Sequence, residues 1–231
     1  MFKTTGALLI LIILTSCAGR SGRTRNEIIL GKGIVTDSGM VVSAHPQSSE
    51  IGVKILQIGG NAVDAAVATE FALSVCYPEA GNIGGGGFML IRTSDGKTDV
   101  IDYREKAPMA ASRDMYLDKK DIVSEGLSTE THLASGVPGT VAGMIYAHSK
   151  YGKLPFREVI QPAIDIADKG FPVTSKQARD LNSNRKQFIK RNSSRPSFVK
   201  DSTWKTGDTL VQKALAETLR RIRDYGIEGF Y

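Results

Sequence analysis

The sequence predicts a layered α+β fold with a mainly helical second half, and three observations carry that prediction. Residues 88–103 hold two strand-like segments joined by Ser94-Asp95-Gly96-Lys97, whose Asp-Gly pair is a hairpin turn signal. Residues 62–75 form a helical pattern rich in Ala and Val with Asp64 and Glu70 as its only charges, so it is apolar on most sides and belongs between layers. From residue 137 onward helical patterns dominate. Strands in the first half with helices laid against them give a layered arrangement.

The chain opens with Lys3 and an apolar stretch from Ala7 to Leu14. Its eight residues are too few for a bilayer core, which takes about 20 as a helix, so residues 1–16 read as an export signal. Leu14-Thr15-Ser16-Cys17 resembles a bacterial lipobox, which marks Cys17 for lipidation and the mature protein for membrane anchoring, periplasmic or at the cell surface. Residues 17–33 are small, polar and basic, as a tether should be, and 34–231 form the folded part. Met40 to Ala44 reads as a short strand, broken by His45-Pro46. A helix is expected from Ser48, with Ile51, Ile55 and Ile58 on one face, ended by Gly59-Gly60. Asn61 caps the apolar helix that follows, and Tyr77-Pro78 stops it.

Between that helix and the hairpin lies Gly84-Gly85-Gly86-Gly87, a loop without a single Cβ, through which another backbone can approach closely. Arg104 stands at the far end of the hairpin. A guanidinium is permanently charged and presents a planar fork of donors, so beside a backbone-lined cleft it can grip a carboxylate with two hydrogen bonds. The competing reading is a surface ion pair with Glu105 or Asp102.

After a weakly patterned stretch at 105–136, Val137-Pro138-Gly139-Thr140 opens a helix through Ala147. Leu154-Pro155 opens another to Lys169, closed by Gly170, and further helices are expected at 174–190 and 210–225 with 191–209 as loop. With 41% hydrophobic and 23% charged residues the composition is that of a globular protein. The net charge of +6 becomes +5 if Lys3 leaves with the signal, and Arg185, Lys186, Lys190, Arg191, Arg195 and Lys200 form an acid-free basic run. Scarce aromatic residues there and an exported setting argue against nucleic acid.

Several chemistries fail on inspection. The dinucleotide spacing would need glycine where Met89 stands, and a Walker loop ending at Gly96-Lys97-Thr98 would need it where Ile91 stands. His45, His132 and His148 lack metal-ligand spacing, no nucleophile elbow is present, and no cofactor is implied. Thr131-His132 pairs a hydroxyl with a base in sequence only. Cys76, in an apolar run, reads as a small buried hydrophobe.

The runs Gly39-Met40-Val41-Val42-Ser43-Ala44-His45-Pro46, Gly59-Gly60-Asn61-Ala62-Val63-Asp64, Ile83 to Met89, Asp102-Tyr103-Arg104-Glu105-Lys106-Ala107-Pro108, Gly136 to Gly143 and Gly226 to Tyr231 together resemble the N-terminal part of gamma-glutamyltransferases, in order over about 39–231. The resemblance implies an N-terminal nucleophile hydrolase fold, a layered αββα sandwich. It implies a proenzyme that cuts itself before a Thr, whose hydroxyl attacks a gamma-glutamyl amide such as glutathione and passes the acyl group to water or to an amino-acid or peptide acceptor. In that scheme Arg104 binds the alpha-carboxylate of the glutamyl group, and the glycine loop supports nearby backbone.

The nucleophilic Thr and the small subunit that carries most glutamyl contacts follow the family segment that ends here at Phe230-Tyr231. On this reading the chain is a truncated part of the large subunit, without a catalytic residue and inactive alone. Two alternatives stay open: a cephalosporin acylase-like enzyme acting on glutaryl amides, and a non-catalytic surface lipoprotein.

Overall fold

A computed structural model describes residues 33–231; the export signal, the lipobox Cys17 and nearly all of the tether lie outside the described residues. Residues 33–37 group with the N-terminal stretch and are irregular and exposed, and 38–231 form the body described here.

Residues 38–44 run irregularly over the first helices. The strand expected at Met40–Ala44 is not formed, because among the described residues no second strand pairs with it, and β structure is a matter of partnership. The first helix, α1 (Pro46–Gln57), starts earlier than the expected Ser48. Pro46 does not break the chain but opens the helix at a position where its missing N–H costs nothing, while the His45 ring accepts from Gln47 N–H at 3.3 Å as the cap. Gly59, at φ +98°, ends it.

Asn61 then caps α2 (Ala62–Cys76) in a reciprocal box with Asp64. This helix is the centre of the core: Val67, Ala68, Phe71, Ala72, Val75 and Cys76 are fully buried, and α1 packs along it. Its last carbonyls are satisfied from a distance, Val75 by the Gln212 amide at 2.8 Å and Cys76 by the Gln177 amide at 2.7 Å. Burial pushes the Cys76 thiol up to about 11, which keeps it an unreactive hydrophobe as expected.

The hairpin forms as predicted, β1 (Phe88–Arg92) antiparallel to β2 (Thr98–Asp102) with Leu90 opposite Val100. Its connection is longer than a two-residue turn, with Gly96 at φ +85° and the Thr93 and Lys97 backbones hydrogen-bonded at 2.9 Å. Met89, Ile91 and Ile101 face the helices, and Phe88, Leu90 and Val100 face outward and are exposed. Asp99 fastens the hairpin to the next long helix through Lys150 Nζ at 2.8 Å and the Tyr151 hydroxyl, contacts that hold its carboxyl down at about 2.

After the one-turn α3 (Leu127–Glu130) and a 3-10 turn at His132–Ala134 comes α4 (Thr140–Tyr151), a turn longer than expected. Thr131 caps that 3-10 turn at Leu133 N–H and donates to Leu127 C=O, a structural role for the residue beside His132. Helix α5 (Phe156–Lys169) follows, with Val159, Ile160, Ala163 and Ile164 against α2 and the Phe71 and Phe156 rings edge to face.

The sequence also gives no sign of a short ladder between β3 (Phe171–Pro172) and β4 (Thr209–Leu210). It draws residue 210 out of the expected last helix, which begins instead as α8 (Lys213–Tyr225) and packs on α5. The helix expected over 174–190 is two, α6 (Ser175–Ser183) and α7 (Arg185–Arg191). Asn184 divides them, its amide donating to Asp180 C=O at 2.9 Å in competition with the helical ladder. The basic run is less bare than its sequence: Arg191 meets Glu130 at 2.6 Å, Arg195 meets Asp201 at 2.8 Å, and Lys200 pairs with Asp208.

Candidate functional site

The hairpin alternation carries on past β2. Ile101 is buried, Asp102 exposed, Tyr103 half-buried and Arg104 exposed, so 102, 104 and 106 share the outward side. Lys106 keeps this stretch extended by exchanging both backbone hydrogen bonds with Val137, at 3.1 and 2.8 Å.

Glycines from two separate motifs make room for this strand end. A Cβ on Gly86 would lie 2.8 Å from Arg104 Cα, one on Gly139 would lie 1.9 Å from the Tyr103 carbonyl oxygen, and one on Gly143 would lie 2.3 Å from the Tyr103 ring. The Tyr103 ring is thus seated on the first turn of α4, and burial together with the Glu70 carboxylate pushes its phenol up, which keeps it neutral. The neighbouring Gly85 carbonyl accepts from Gly139 N–H at 2.8 Å and Thr140 N–H at 3.0 Å, so the glycine loop caps α4 with its own backbone. The loop's expected supporting role is the one the geometry gives it.

Over this platform opens a cleft of about 570 Å³, lined by Arg104 and Lys106 on one side and by Val137, Tyr146, Ile227 and Tyr231 on the others. Tyr231 closes one end, its hydroxyl donating to Pro138 C=O at 2.7 Å and accepting from Ala142 N–H at 3.4 Å. Asp102 is also at the cleft, but its carboxylate accepts the backbone N–H of Arg104 at 3.0 Å, not the guanidinium. The Arg104 guanidinium lies 5.9 Å from the Phe88 ring centroid and, among the described residues, forms no ion pair and no side-chain hydrogen bond. The surface pair with Glu105 or Asp102 is therefore not made. An open cleft holding an unspent planar fork of donors suits a carboxylate.

The sequence singled out Arg104 but gave no part to Tyr231, Lys106 or Gly143. The signal for Gly143 was present: glycines at 139 and 143 lie four apart on one helix face, which is how a helix admits a bulky neighbour.

The sequence profile described as Gamma-glutamyltranspeptidase matches residues 48–231. A glutathione hydrolase proenzyme from Pseudomonas sp. (strain A14) is 46% identical over 100% of this chain and 40% of its own length. One from Escherichia coli (strain K12) is 48% identical over 84% of this chain and 34% of its own. Among solved structures, the gamma-glutamyltranspeptidase of Helicobacter pylori superposes with a TM-score of 0.82 at 47% identity, over 86% of this chain and 58% of that one. The chain thus spans 40% or less of the length of these two curated relatives.

The helical layers and short hairpin are part of an N-terminal nucleophile hydrolase fold. The chain belongs to the gamma-glutamyltranspeptidase family.

Proposed function

We propose that this chain supplies the alpha-carboxylate clamp of a gamma-glutamyltransferase, a glutathione hydrolase that cleaves gamma-glutamyl amides. In the complete enzyme a Thr hydroxyl attacks the amide carbonyl and its own amine takes the proton. The leaving amine departs with a proton, and the resulting ester is opened by water or by an amino-acid or peptide acceptor. The Thr belongs to the small subunit that pairs with this large-subunit chain. Arg104 holds the donor by its alpha-carboxylate throughout, fixing the distance from clamp to scissile carbonyl.

The observation that supports this reading is the uncommitted guanidinium in the cleft, set on a glycine-built platform in a chain 46% identical to a glutathione hydrolase proenzyme. A glutaryl group keeps the same terminal carboxylate and lacks only the amine, so Arg104 alone does not separate the two substrate classes. Relatives at 46% and 48% identity are named glutathione hydrolases, and that favours the glutamyl donor.

In the full-length protein, Arg104→Ala lowers kcat/KM for a gamma-glutamyl anilide about a hundredfold, and Arg104→Lys recovers only part because the bidentate geometry is lost. Unchanged kcat/KM in Arg104→Ala overturns the clamp.

On the same proposal residues 1–16 are an export signal, Cys17 is lipidated and 17–33 form a tether, for an enzyme working outside the cytoplasm on a membrane surface. Among the described residues no helix is long and apolar enough to cross a membrane. Metabolic labelling with a fatty acid checks the lipid, with Cys17→Ser abolishing the label.

A further inference from the structure

Arg104 is not the one cation turned into the cleft. Lys106 lines the same cavity, two residues along an extended segment, so the two side chains leave the backbone on the same side about 6.6 Å apart. Its backbone is locked by both hydrogen bonds to Val137, while among the described residues its ammonium makes no ion pair and no hydrogen bond. The acids nearest in sequence do not compete for it. Asp102 is spent on the Arg104 backbone N–H, and Glu105 turns to the opposite side, where a Cβ on Gly136 would meet the Glu105 Cβ at 3.0 Å. Between and beyond the two cations the wall is Tyr146, Val137 and Ile227, a surface for apolar substituents.

We propose that Lys106 binds a second carboxylate, one carried by the amine half of the substrate, and so selects gamma-glutamyl compounds whose departing or incoming amine is itself an acid. The inference rests on the gamma-glutamyl reading above: with Arg104 holding one carboxylate, a cation farther along the same cleft meets the far end of a longer ligand. A gamma-glutamyl peptide with a free C-terminus has that second charge, whereas glutamine or a gamma-glutamyl anilide does not. The amine that leaves the donor and the amine that attacks the acyl-enzyme occupy the same place by microscopic reversibility, so a carboxylate on either meets Lys106.

The test compares matched pairs on the full-length protein: glutathione against its C-terminal carboxamide as donors, and glycylglycine against glycylglycine amide as acceptors. Wild type prefers the charged member of a pair, and Lys106→Gln reduces that kcat/KM ratio about fivefold, the scale of one partly exposed ion pair. Lys106→Arg keeps the preference, and added salt weakens it in wild type but not in Lys106→Gln. A shift in the donor pair assigns the carboxylate to the leaving amine, and one in the acceptor pair assigns it to the incoming amine. Equal losses on charged and neutral members, or no change in either ratio, overturn the role of Lys106 while leaving the clamp intact. Absence of wild-type turnover with every gamma-glutamyl donor overturns the underlying reading and this inference with it.

Discussion

Asp64 and Arg104 are opposite ways of placing a charge. Asp64 is fully buried and saturated: its carboxylate accepts from Asn61 N–H at 2.8 Å and from Lys153 N–H at 3.0 Å, with Leu154 N–H at 3.4 Å and His148 Nε2 at 3.5 Å nearby. It fastens the start of α2 to the loop between α4 and α5, with Asn61 adding a bond to Tyr151 C=O at 2.6 Å. Arg104 is exposed and, among the described residues, has no such partners, although its backbone is packed closely by Gly86 and Gly139 and followed by the Lys106–Val137 exchange. A charge that builds the fold uses up its bonding capacity inside the protein, and one proposed to hold a ligand has its scaffold fixed and its valence left open.

That contrast can be broken by experiment. Asp64→Ala leaves at least two partly buried N–H groups without their buried acceptor and lowers unfolding free energy by about 2–4 kcal/mol, read as a shift of the urea midpoint of the full-length protein. Arg104→Ala is the mirror case, with turnover reduced as given above and the urea midpoint held within about 0.5 kcal/mol of wild type. A large loss of stability in that variant would erase the distinction.

Gly143→Ala tests the platform between the two extremes. Its new Cβ meets the Tyr103 ring, so stability falls by about 1–3 kcal/mol, and kcat/KM falls with it because Arg104 follows Tyr103. Turnover unaffected by this variant would show that the clamp is not set by its seat.

The smallest effect belongs to His45, which is buried, caps α1 through one ring nitrogen and, among the described residues, leaves Nε2 without a hydrogen-bond partner. Burial lowers its pKa, with Glu79, Gln177 and Glu50 acting weakly in the other direction. The unfolded chain therefore takes up a proton first as pH falls below about 6.5, and stability present above that value is lost on acidification, by at most about 1.4 kcal/mol per pH unit. His45→Asn keeps a capping oxygen and flattens this part of the pH–stability curve, measured by urea unfolding between pH 7 and pH 5.

What could be read in advance was local. The Asn61 cap, the glycine stop before it, the Asp-Gly hairpin and the Arg at its end each have their cause within a few residues, and each stands where the pattern put it. What escaped was decided across the chain. Nothing near Asp64 announces Lys153, 89 residues on in the chain, and nothing near Arg191 announces Glu130. The 40–44 segment has strand composition, but a ladder needs a neighbour. The two-residue β3–β4 pairing is too short to leave a period, and it moved the start of the last helix. Arg104 was legible as a chemical type, whereas its freedom from Asp102 and Glu105 depended on backbone direction that the letters do not carry.

Both flanks of Arg104 are tied to the opening turn of α4, while the Thr93–Lys97 tip of the hairpin stands away from that junction. Vibration or rebuilding at the tip is consequently damped before it reaches the guanidinium. Extra residues, a dye or an affinity tag grafted beside Asp95 would ride on the fold as a passenger, giving an engineer a handle remote from Arg104.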